Sequence, residues 1–495
     1  MKKLDERFLG DIYIGLILIV FILALPRGYY DVSTPKLMIF YISAIVVLII
    51  TLVTGNSCKD KKYIFSPLIL LFLLSVLLTT ILNYSTDAML GTNEYGVGAL
   101  YMCTSLIIIT CFKFLDFHKS FFIRASVYTS YILVIMACYQ TFGFDLFNLW
   151  SSIEVDFDNT MYIATLGNRG FFGCYMVAVF SMAIYMYINE TDVAFWEKAL
   201  GIFSCAIGLI LANTSGTLIG ALIGAIVILY ISGRTRAGLR KIFEIASIVA
   251  VAWLTFGVCY FGLSDKFNFV SLDAISKTLI SPIFTIVLLL LSSVGIVILN
   301  RQDITDKSSK KFTKIITIIG IVGILLIPIS IVIYTFSYKE NPENTFSSFL
   351  YFDAWWGTGR GFIWSKTFEM LSDNTIVEWI FGNGIGSYSD EFVARYGSLL
   401  MEQFSAYYND AHNIFLQWVY EYGLFGLANL VAAITMTIEN GLKSKDTFFK
   451  YMAVALIAMI VCQSFLVVQD ITLTIIVLYI AIINSSCNKK LMETI

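Results

Sequence analysis

The chain has 495 residues, of which 58% are hydrophobic and only 14% are charged, whereas an ordinary soluble domain carries about a quarter charged residues. Stretches 64–81 and 278–299 contain no charged residue at all. In lipid such stretches are stable only as helices that satisfy their own backbone hydrogen bonds. The composition therefore excludes a soluble globular protein and indicates an integral membrane protein.

Apolar runs close to the roughly 20 residues that cross a bilayer recur along the whole sequence. They predict about fourteen transmembrane helices, and residues 198–213 and 214–232 would form a tight hairpin. The predicted spans are 11–26, 37–54, 64–82, 97–114, 123–140, 168–188, 198–213, 214–232, 243–262, 278–299, 315–335, 412–437, 450–468 and 471–485.

The distribution of lysine and arginine between the loops predicts the orientation, because short cytoplasmic loops are enriched in both. Alternate loops and both termini carry the basic residues: Lys2, Lys3, Lys59, Lys61, Lys62, Lys113, Lys119, Arg124, Arg234, Arg236, Arg240, Lys241, Arg301, Lys307, Lys310, Lys311, Lys314, Lys443, Lys445, Lys450, Lys489 and Lys490. The other loops are often acidic, as at Asp145, Glu154, Asp156 and Asp158, and only loop 189–197 departs from the pattern. Both termini are therefore predicted to be cytoplasmic. Because the basic loops are short and lie at the membrane, we expect no nucleic-acid partner.

One long excursion, residues 336–411, interrupts the predicted spans on the outer side. We expect function to concentrate in this outer segment. Residues 362–371 are predicted to be helical, with Trp364, Phe368 and Leu371 on one face. A second helix is predicted at 389–404, capped by Ser389, with an apolar stripe of Phe392, Tyr396, Leu399 and Leu400. A glycine-rich turn at 381–386 separates these two short surface helices.

His412 lies where the outer segment re-enters the membrane. If a helix begins near His412, Gly423 is three turns deeper on the same face and would let a neighbouring helix approach closely. The alternative is an interfacial histidine without a role. The other histidine, His118, is interpreted as a solvated loop residue. Glu421 falls on the opposite face of that helix and is interpreted as structural, or buried in its neutral form.

Two arginines are candidates for binding an anion, because the guanidinium fork matches phosphate geometry. Arg360 lies between Gly359 and Gly361, which would let the backbone approach a ligand. The alternative is a surface arginine in a flexible turn. Arg169 lies at the outer mouth of its span and either binds an anion or pairs with a nearby carboxylate. The nine cysteines have no CxxC spacing, so no metal site is predicted.

The sequence His412-Asn413, nine residues, Gly423, two residues and Gly426 resembles the H-[NSQ]-x(9)-G-x-x-[GTY] pattern of the bacterial O-antigen ligase and polymerase superfamily. The upstream element Gly359-Arg360 with Trp364, the glycine turn and the element Gly167-Asn168 agree with it. The resemblance covers about 201–438 and divides the chain into N-terminal spans 1–200, a ligase-like domain 201–438 that includes segment 336–411, and C-terminal spans 439–495.

The resemblance implies an all-α glycosyltransferase of the GT-C type in the bacterial plasma membrane. It would move a glycan from undecaprenyl diphosphate to an acceptor sugar, without metal, nucleotide or other cofactor. His412 and Arg360 would be the catalytic residues. His412 would orient the diphosphate or deprotonate the acceptor, and Arg360 would bind the diphosphate. Arg169, Asn413, Trp364 and Ser215 would contact the substrate. Family members often carry Ser-Arg-Gly where this chain has Ser215, so either Arg169 supplies the second positive charge or that contact is absent.

Three functions stay open at this point. The first is a polymerase of repeat units, for example of a capsule, which would work beside a flippase and a chain-length regulator. The second is a ligase that delivers finished glycan to a separate acceptor. The third is a transporter of lipid-linked oligosaccharide. Transporters bind near the midplane and often show internal repeats, whereas the candidate residues here lie at the outer surface.

Overall fold

The computed structural model describes residues 6–22, 29, 31–54, 67–82, 84–91, 96–152, 162–264, 266, 270–301, 304–338, 340–342, 347–405 and 408–493. Some of the charged residues that predict the orientation lie outside the described residues, namely Lys2, Lys3, Lys59, Lys61, Lys62, Glu154, Asp156 and Asp158. Within the described part the protein is all-α, apart from a two-stranded antiparallel ribbon of β1 (Tyr162–Ile163) and β2 (Gly167–Asn168).

The described residues of the first half of the chain form ten α-helices, most of them long and apolar. They are α1 (Glu6–Ile22), α2 (Ser33–Thr54), α3 (Pro67–Leu82), α4 (Thr86–Leu90), α5 (Ala99–Cys111), α6 (Lys119–Thr141), α7 (Arg169–Asn189), α8 (Phe195–Leu211), α9 (Ser215–Ser232) and α10 (Arg236–Gly262). The second half adds α11 (Ala274–Leu279), α12 (Pro282–Arg301), α13 (Asp306–Ser337), α14 (Ser347–Leu350), α15 (Trp356–Ser372), α16 (Ile376–Phe381), α17 (Ser387–Phe404), α18 (Ile414–Lys443), α19 (Thr447–Gln463) and α20 (Asp470–Glu493).

Every predicted span overlaps one of these helices, and the protein is an all-α, multi-pass membrane protein. Among the residues that the structure describes, eight helices are long and apolar enough to cross a bilayer, namely α2, α6, α7, α9, α10, α12, α13 and α18. α3, α5, α19 and α20 contain shorter apolar stretches. The total of fourteen crossings stays a prediction.

Helices α7, α19 and α20 form the centre of the bundle, and α7 is buried along almost its whole length. Small residues permit this packing, because a side chain at Gly173 would overlap Thr217 of α9 and one at Gly220 would overlap the Ala458 carbonyl of α19. Helix α13, in contrast, is exposed along most of its apolar length, as expected for a helix that faces lipid.

The outer segment folds into α14 to α17 around its own hydrophobic cluster, which also contacts the start of α18. Phe392, Tyr396 and Leu400 are buried as predicted, whereas Phe368 and Leu399 are exposed. The buried face of α15 instead carries Phe362, Ile363, Met370 and Leu371.

The ends of the helices in this segment also differ from the prediction. Helix α17 begins at Ser387 after a left-handed Gly386, so Ser389 does not cap it. Helix α16, which was not predicted, is started by a capping box of Thr375 and Glu378. The glycine turn is confirmed, since Gly382, Gly384 and Gly386 all have positive φ.

Candidate functional site

His412 lies outside the helix in which the sequence placed it. Helix α18 begins at Ile414, and the Asn413 side chain caps it by accepting hydrogen bonds from the N–H groups of Phe415 (2.9 Å) and Leu416 (3.2 Å). His412 has a left-handed backbone with φ of +50°. The helical relationship predicted between His412 and Gly423 is therefore wrong, because the cap ends the regular helix before it reaches the histidine.

Gly423 breaks α18 with φ of +67° and ψ of −174°. A side chain there would lie 2.4 Å from the Ile380 carbonyl oxygen of α16. The expected close approach at Gly423 therefore exists, although the element that approaches is the short α16 and not a transmembrane helix. Gly426 lies against Tyr422 of its own helix.

Asp410 holds His412 in this conformation. Its Oδ1 accepts the backbone N–H of His412 at 2.6 Å, and its Oδ2 accepts the N–H of Val468 at 3.2 Å. The imidazole Nδ1 lies 3.2 Å from the Asp410 carbonyl oxygen and 3.9 Å from Oδ1. Because both neighbours of Nδ1 are acceptors, this geometry assigns the ring proton to Nδ1 and leaves a lone pair on Nε2.

Burial keeps the imidazole neutral. It lowers the pKa of His412 to about 3, and the positive charge of Arg360 acts in the same direction. Burial raises the pKa of the Asp410 carboxyl to about 7, against the opposing effect of the two N–H groups that donate to it. Near neutral pH, His412 is therefore an uncharged ring and not a cation.

Arg360 begins the regular part of α15, after three residues with left-handed dihedral angles, Gly357, Thr358 and Gly359. Its guanidinium donates to the Phe465 carbonyl through Nε (3.1 Å) and Nη2 (2.8 Å). Nη1 donates to the Gly357 carbonyl and to Thr358 Oγ1. Arg360 is therefore a positioned, half-buried side chain and not a flexible surface arginine.

The neighbouring glycines have a different use from the one predicted. A side chain at Gly361 would lie 1.8 Å from the Asp353 carbonyl oxygen, so this glycine admits the protein's own backbone. Gly359, with φ of +92°, lies against the Tyr408 ring, whose edge meets the His412 ring at 5.5 Å between centroids. Tyr408 therefore lies between the Arg360 turn and His412.

Residues 464–469, which we call the α19–α20 loop, connect these groups. Phe465 accepts from Arg360, and Val468 donates to Asp410. Trp364 lies beside both, since its Nε1 donates to the Ala411 carbonyl at 3.1 Å and its ring lies 6.2 Å from the Phe465 ring. The sequence prediction missed this loop because Leu466, Val467 and Val468 are apolar and extended the predicted span through it. The polar residues Gln463, Gln469 and Asp470 around it were the available signal.

Arg169 and Ser215 begin two helices at the same end of the bundle. Arg169 starts α7, is buried, and donates through Nη1 to the Leu211 carbonyl at 2.7 Å. Ser215 starts α9 and is exposed. The residues that follow them, Gly170 and Gly216, pack against Leu466 and Phe465 of the α19–α20 loop. The loop thus gathers the starts of α7, α9, α15 and α18.

Residues 279–431 match a protein-family model described as O-Antigen ligase. No curated protein matches the chain. The matched stretch lies inside the predicted 201–438 domain and contains Arg360, Trp364, His412 and the two glycines of the motif. This match makes residues 279–431 similar to O-antigen ligases and supports the resemblance to the superfamily of O-antigen ligases and polymerases.

Proposed function

We propose that the protein is a glycosyltransferase that moves a glycan from undecaprenyl diphosphate to a sugar hydroxyl and polymerises polysaccharide repeat units. The observation that carries the proposal is the joint anchoring of a neutral His412 and of Arg360 on the α19–α20 loop. This transfer requires a group that accepts a proton and a group that stabilises negative charge, and one loop holds a candidate for each, His412 and Arg360. The attacking hydroxyl loses a proton, and the leaving diphosphate gains negative charge.

In this mechanism Nε2 of His412 takes the proton of the acceptor hydroxyl. The oxygen attacks the anomeric carbon of the donor sugar, the bond from that carbon to the diphosphate oxygen breaks, and its electron pair leaves with the diphosphate. Arg360 stabilises that charge. Of the roles left open for His412, a neutral ring with a free Nε2 favours proton acceptance over orientation of an anion by charge.

The second positive charge of the proposed site is Arg169. The start of α7 packs on the loop that anchors Arg360, whereas Ser215 offers only a hydroxyl. Trp364 positions the backbone of Ala411 directly before His412, and Asn413 fixes the start of α18. Trp364 and Asn413 therefore hold the backbone around His412 in place. We also propose that both side chains contact the glycan.

The proposed site faces the outside of a bacterial plasma membrane, and both termini lie in the cytoplasm. The lipid-linked donor reaches the site from the membrane. A flippase and a chain-length regulator are the proposed partner proteins. Fusion of a fluorescent protein that matures only in the cytoplasm to the C-terminus tests the orientation. Fluorescence supports the proposed orientation, and its absence together with activity of a periplasmic reporter contradicts it.

Reconstitution in proteoliposomes with an undecaprenyl-diphosphate-linked repeat unit tests the function. Wild type is compared with His412→Ala and Arg360→Ala, and the products are resolved by size. A ladder formed by wild type and lost in both variants supports a polymerase. A single transfer to an added acceptor identifies a ligase, the second candidate. Transfer of lipid-linked glycan across the bilayer without any glycosidic product contradicts both and favours a transporter.

A further inference from the structure

A small cavity with a mixed polar and apolar lining lies beside Asp410, between α17, the start of α18 and the α19–α20 loop. Its volume is about 30 Å³, and its polar lining comes from Ser389, Asn409, Asp410, Gln417 and Glu421. One water molecule requires about 10–15 Å³ measured in this way. The cavity therefore has room for about two water molecules.

Two aromatic side chains that line this cavity carry buried polar atoms without a partner among the described residues. They are Trp418 Nε1 and Tyr422 Oη, on side chains that are 3% and 2% exposed. A buried N–H or O–H group without a hydrogen bond costs about 1–3 kcal/mol. Water in the cavity would accept these hydrogen bonds and donate others to the carboxyl groups.

Among the described residues that line the cavity, Asp410 and Glu421 carry the carboxyl groups. Glu421 is buried, and its Oε1 accepts from Gln417 Nε2 at 2.7 Å. The Oε1 of the same Gln417 accepts the backbone N–H of Ala411 at 2.9 Å, between Asp410 and His412. Two carboxylates that lie close together repel each other, so the pair stabilises one added proton.

The mechanism of the proposed function needs a destination for a proton. Nε2 of His412 gains the proton of the acceptor hydroxyl, and the ring becomes neutral again only when Nδ1 loses its own. The nearest carboxylate oxygen to Nδ1 is Asp410 Oδ1, at 3.9 Å. Transfer of the proton requires these two atoms to move within hydrogen-bond distance of each other.

We propose that the cavity holds internal water and that Asp410, this water and Glu421 form the outlet for the proton that His412 removes from the acceptor. The inference rests on the proposed function. The Nδ1 proton passes to Asp410, a water in the cavity takes it up while releasing another of its protons, and Glu421 receives that one. The net change is one proton moved from the acceptor oxygen to Glu421. Both carboxyl groups are therefore positioning and proton-holding residues, and neither contacts the glycan.

The test compares Glu421→Gln with wild type in proteoliposomes that contain the undecaprenyl-diphosphate-linked glycan. Glutamine keeps the size and can keep the hydrogen bond from Gln417, but it cannot accept the proton, and its amide nitrogen cannot accept the N–H groups of Gly386 and Tyr388. We expect kcat to fall about tenfold, with the donor KM unchanged and a larger solvent deuterium isotope effect on kcat. The matched control is Glu391→Gln on α17, an exposed carboxylate paired with Arg395, which we expect to behave as wild type.

A pH profile of kcat supplies a second readout. The groups that face Asp410 are His412, Tyr388 and Glu421, and those that face Glu421 are Asp410, Tyr388, Tyr420 and Tyr422, while Arg360 faces His412. We expect Glu421→Gln to change the profile and Glu391→Gln to leave it unchanged. Infrared difference spectra of wild type, turnover minus resting state, should show a new protonated carboxyl band that shifts in D₂O and is absent from Glu421→Gln.

Two results would overturn the outlet. One is wild-type kcat and isotope effect in Glu421→Gln while His412→Asn is inactive. The other is a parallel change of donor KM and of the melting temperature with kcat, which indicates a structural role. If His412→Asn also retains full activity, the proposed function fails together with the outlet that rests on it.

Discussion

The guanidinium of Arg360 and the backbone carbonyl of Phe465, 105 residues further along the chain, are joined by two hydrogen bonds of 3.1 and 2.8 Å. The Val468 N–H on the same loop binds Asp410, which holds His412. A displacement of the α19–α20 loop therefore moves both candidate catalytic groups together. In the proposed mechanism, donor binding and acceptor activation would therefore be coupled through this loop.

Replacement of Arg360 by lysine preserves the charge but removes the planar fork. A lysine cannot make the paired contact with Phe465 or a bidentate contact with a diphosphate. We expect transfer to fall about a hundredfold, measured as kcat/KM for the lipid-linked donor. The control is Arg395→Lys on α17, which alters an exposed arginine paired with Asp373 and Glu391. Near-wild-type transfer by Arg360→Lys would show that charge alone is required.

Two substitutions of His412 are needed to separate the loss of the imidazole ring from backbone strain, because the backbone of this residue is left-handed. Alanine costs about 1–2 kcal/mol in this conformation, whereas asparagine adopts it more readily. We expect both His412→Ala and His412→Asn to lose at least about a hundredfold in kcat. Only the alanine variant should also lower the melting temperature appreciably. The control is His118→Asn, at the exposed pair with Asp11. Substantial activity in His412→Asn would contradict a chemical role for the ring.

The long helices could be predicted from the sequence, because a bilayer imposes both their length and their apolar character. The conformation of His412 could not. It depends on Asp410, which is local, but also on Val468, which is 58 residues away and apolar. The contact between Arg360 and Phe465 could not be predicted either, because it uses the backbone carbonyl of Phe465, which every residue type has.

Glycines of the motif show a second limit of sequence reasoning. The spacing of Gly423 from His412 suggested a shared helical face, yet the left-handed residues at both positions mark breaks in the helix. Glycine can permit either close helix packing or a positive φ, and the sequence does not show which of the two roles a given glycine has. Only the position of α16 against Gly423 distinguishes them.

The opposite pKa shifts of His412 and Asp410 predict compensating pH dependences of stability. Between about pH 3 and its usual pKa of 6.5, His412 is neutral in the folded protein and protonated in the unfolded chain, so its contribution to stability is lost as the pH falls. Between 3.8 and about 7, Asp410 is protonated when folded and ionised when unfolded, so its contribution is lost as the pH rises.

Single substitutions should unmask each effect. Asp410→Asn leaves His412, so the stability of this variant relative to wild type should increase from pH 4 to pH 6 by up to about 1.4 kcal/mol per pH unit. His412→Asn leaves Asp410, and its stability relative to wild type should decrease over the same range. Thermal unfolding in detergent at pH 4, 5 and 6 measures both. Parallel curves for wild type and the two variants would show that neither group titrates as inferred.

Substitution of Gly423 by alanine tests whether the break in α18 supports the site. The added Cβ would lie 2.4 Å from the Ile380 carbonyl oxygen, in a backbone of positive φ that alanine disfavours. Relief requires α16 and the following turn to move away, and this turn contacts α18 through the hydrogen bonds from Asn383 N to the Tyr420 carbonyl and from Gly384 N to the Glu421 carbonyl. We therefore expect the free energy of unfolding to fall by about 2 kcal/mol or more, together with lower transfer activity.

The control is Gly323→Ala in α13, where a Cβ meets no atom within 4 Å. That variant should keep full activity and lose no stability, since alanine favours a helix interior. Equal melting temperatures and equal activities for the two variants would mean that the break at Gly423 does not hold the site in place.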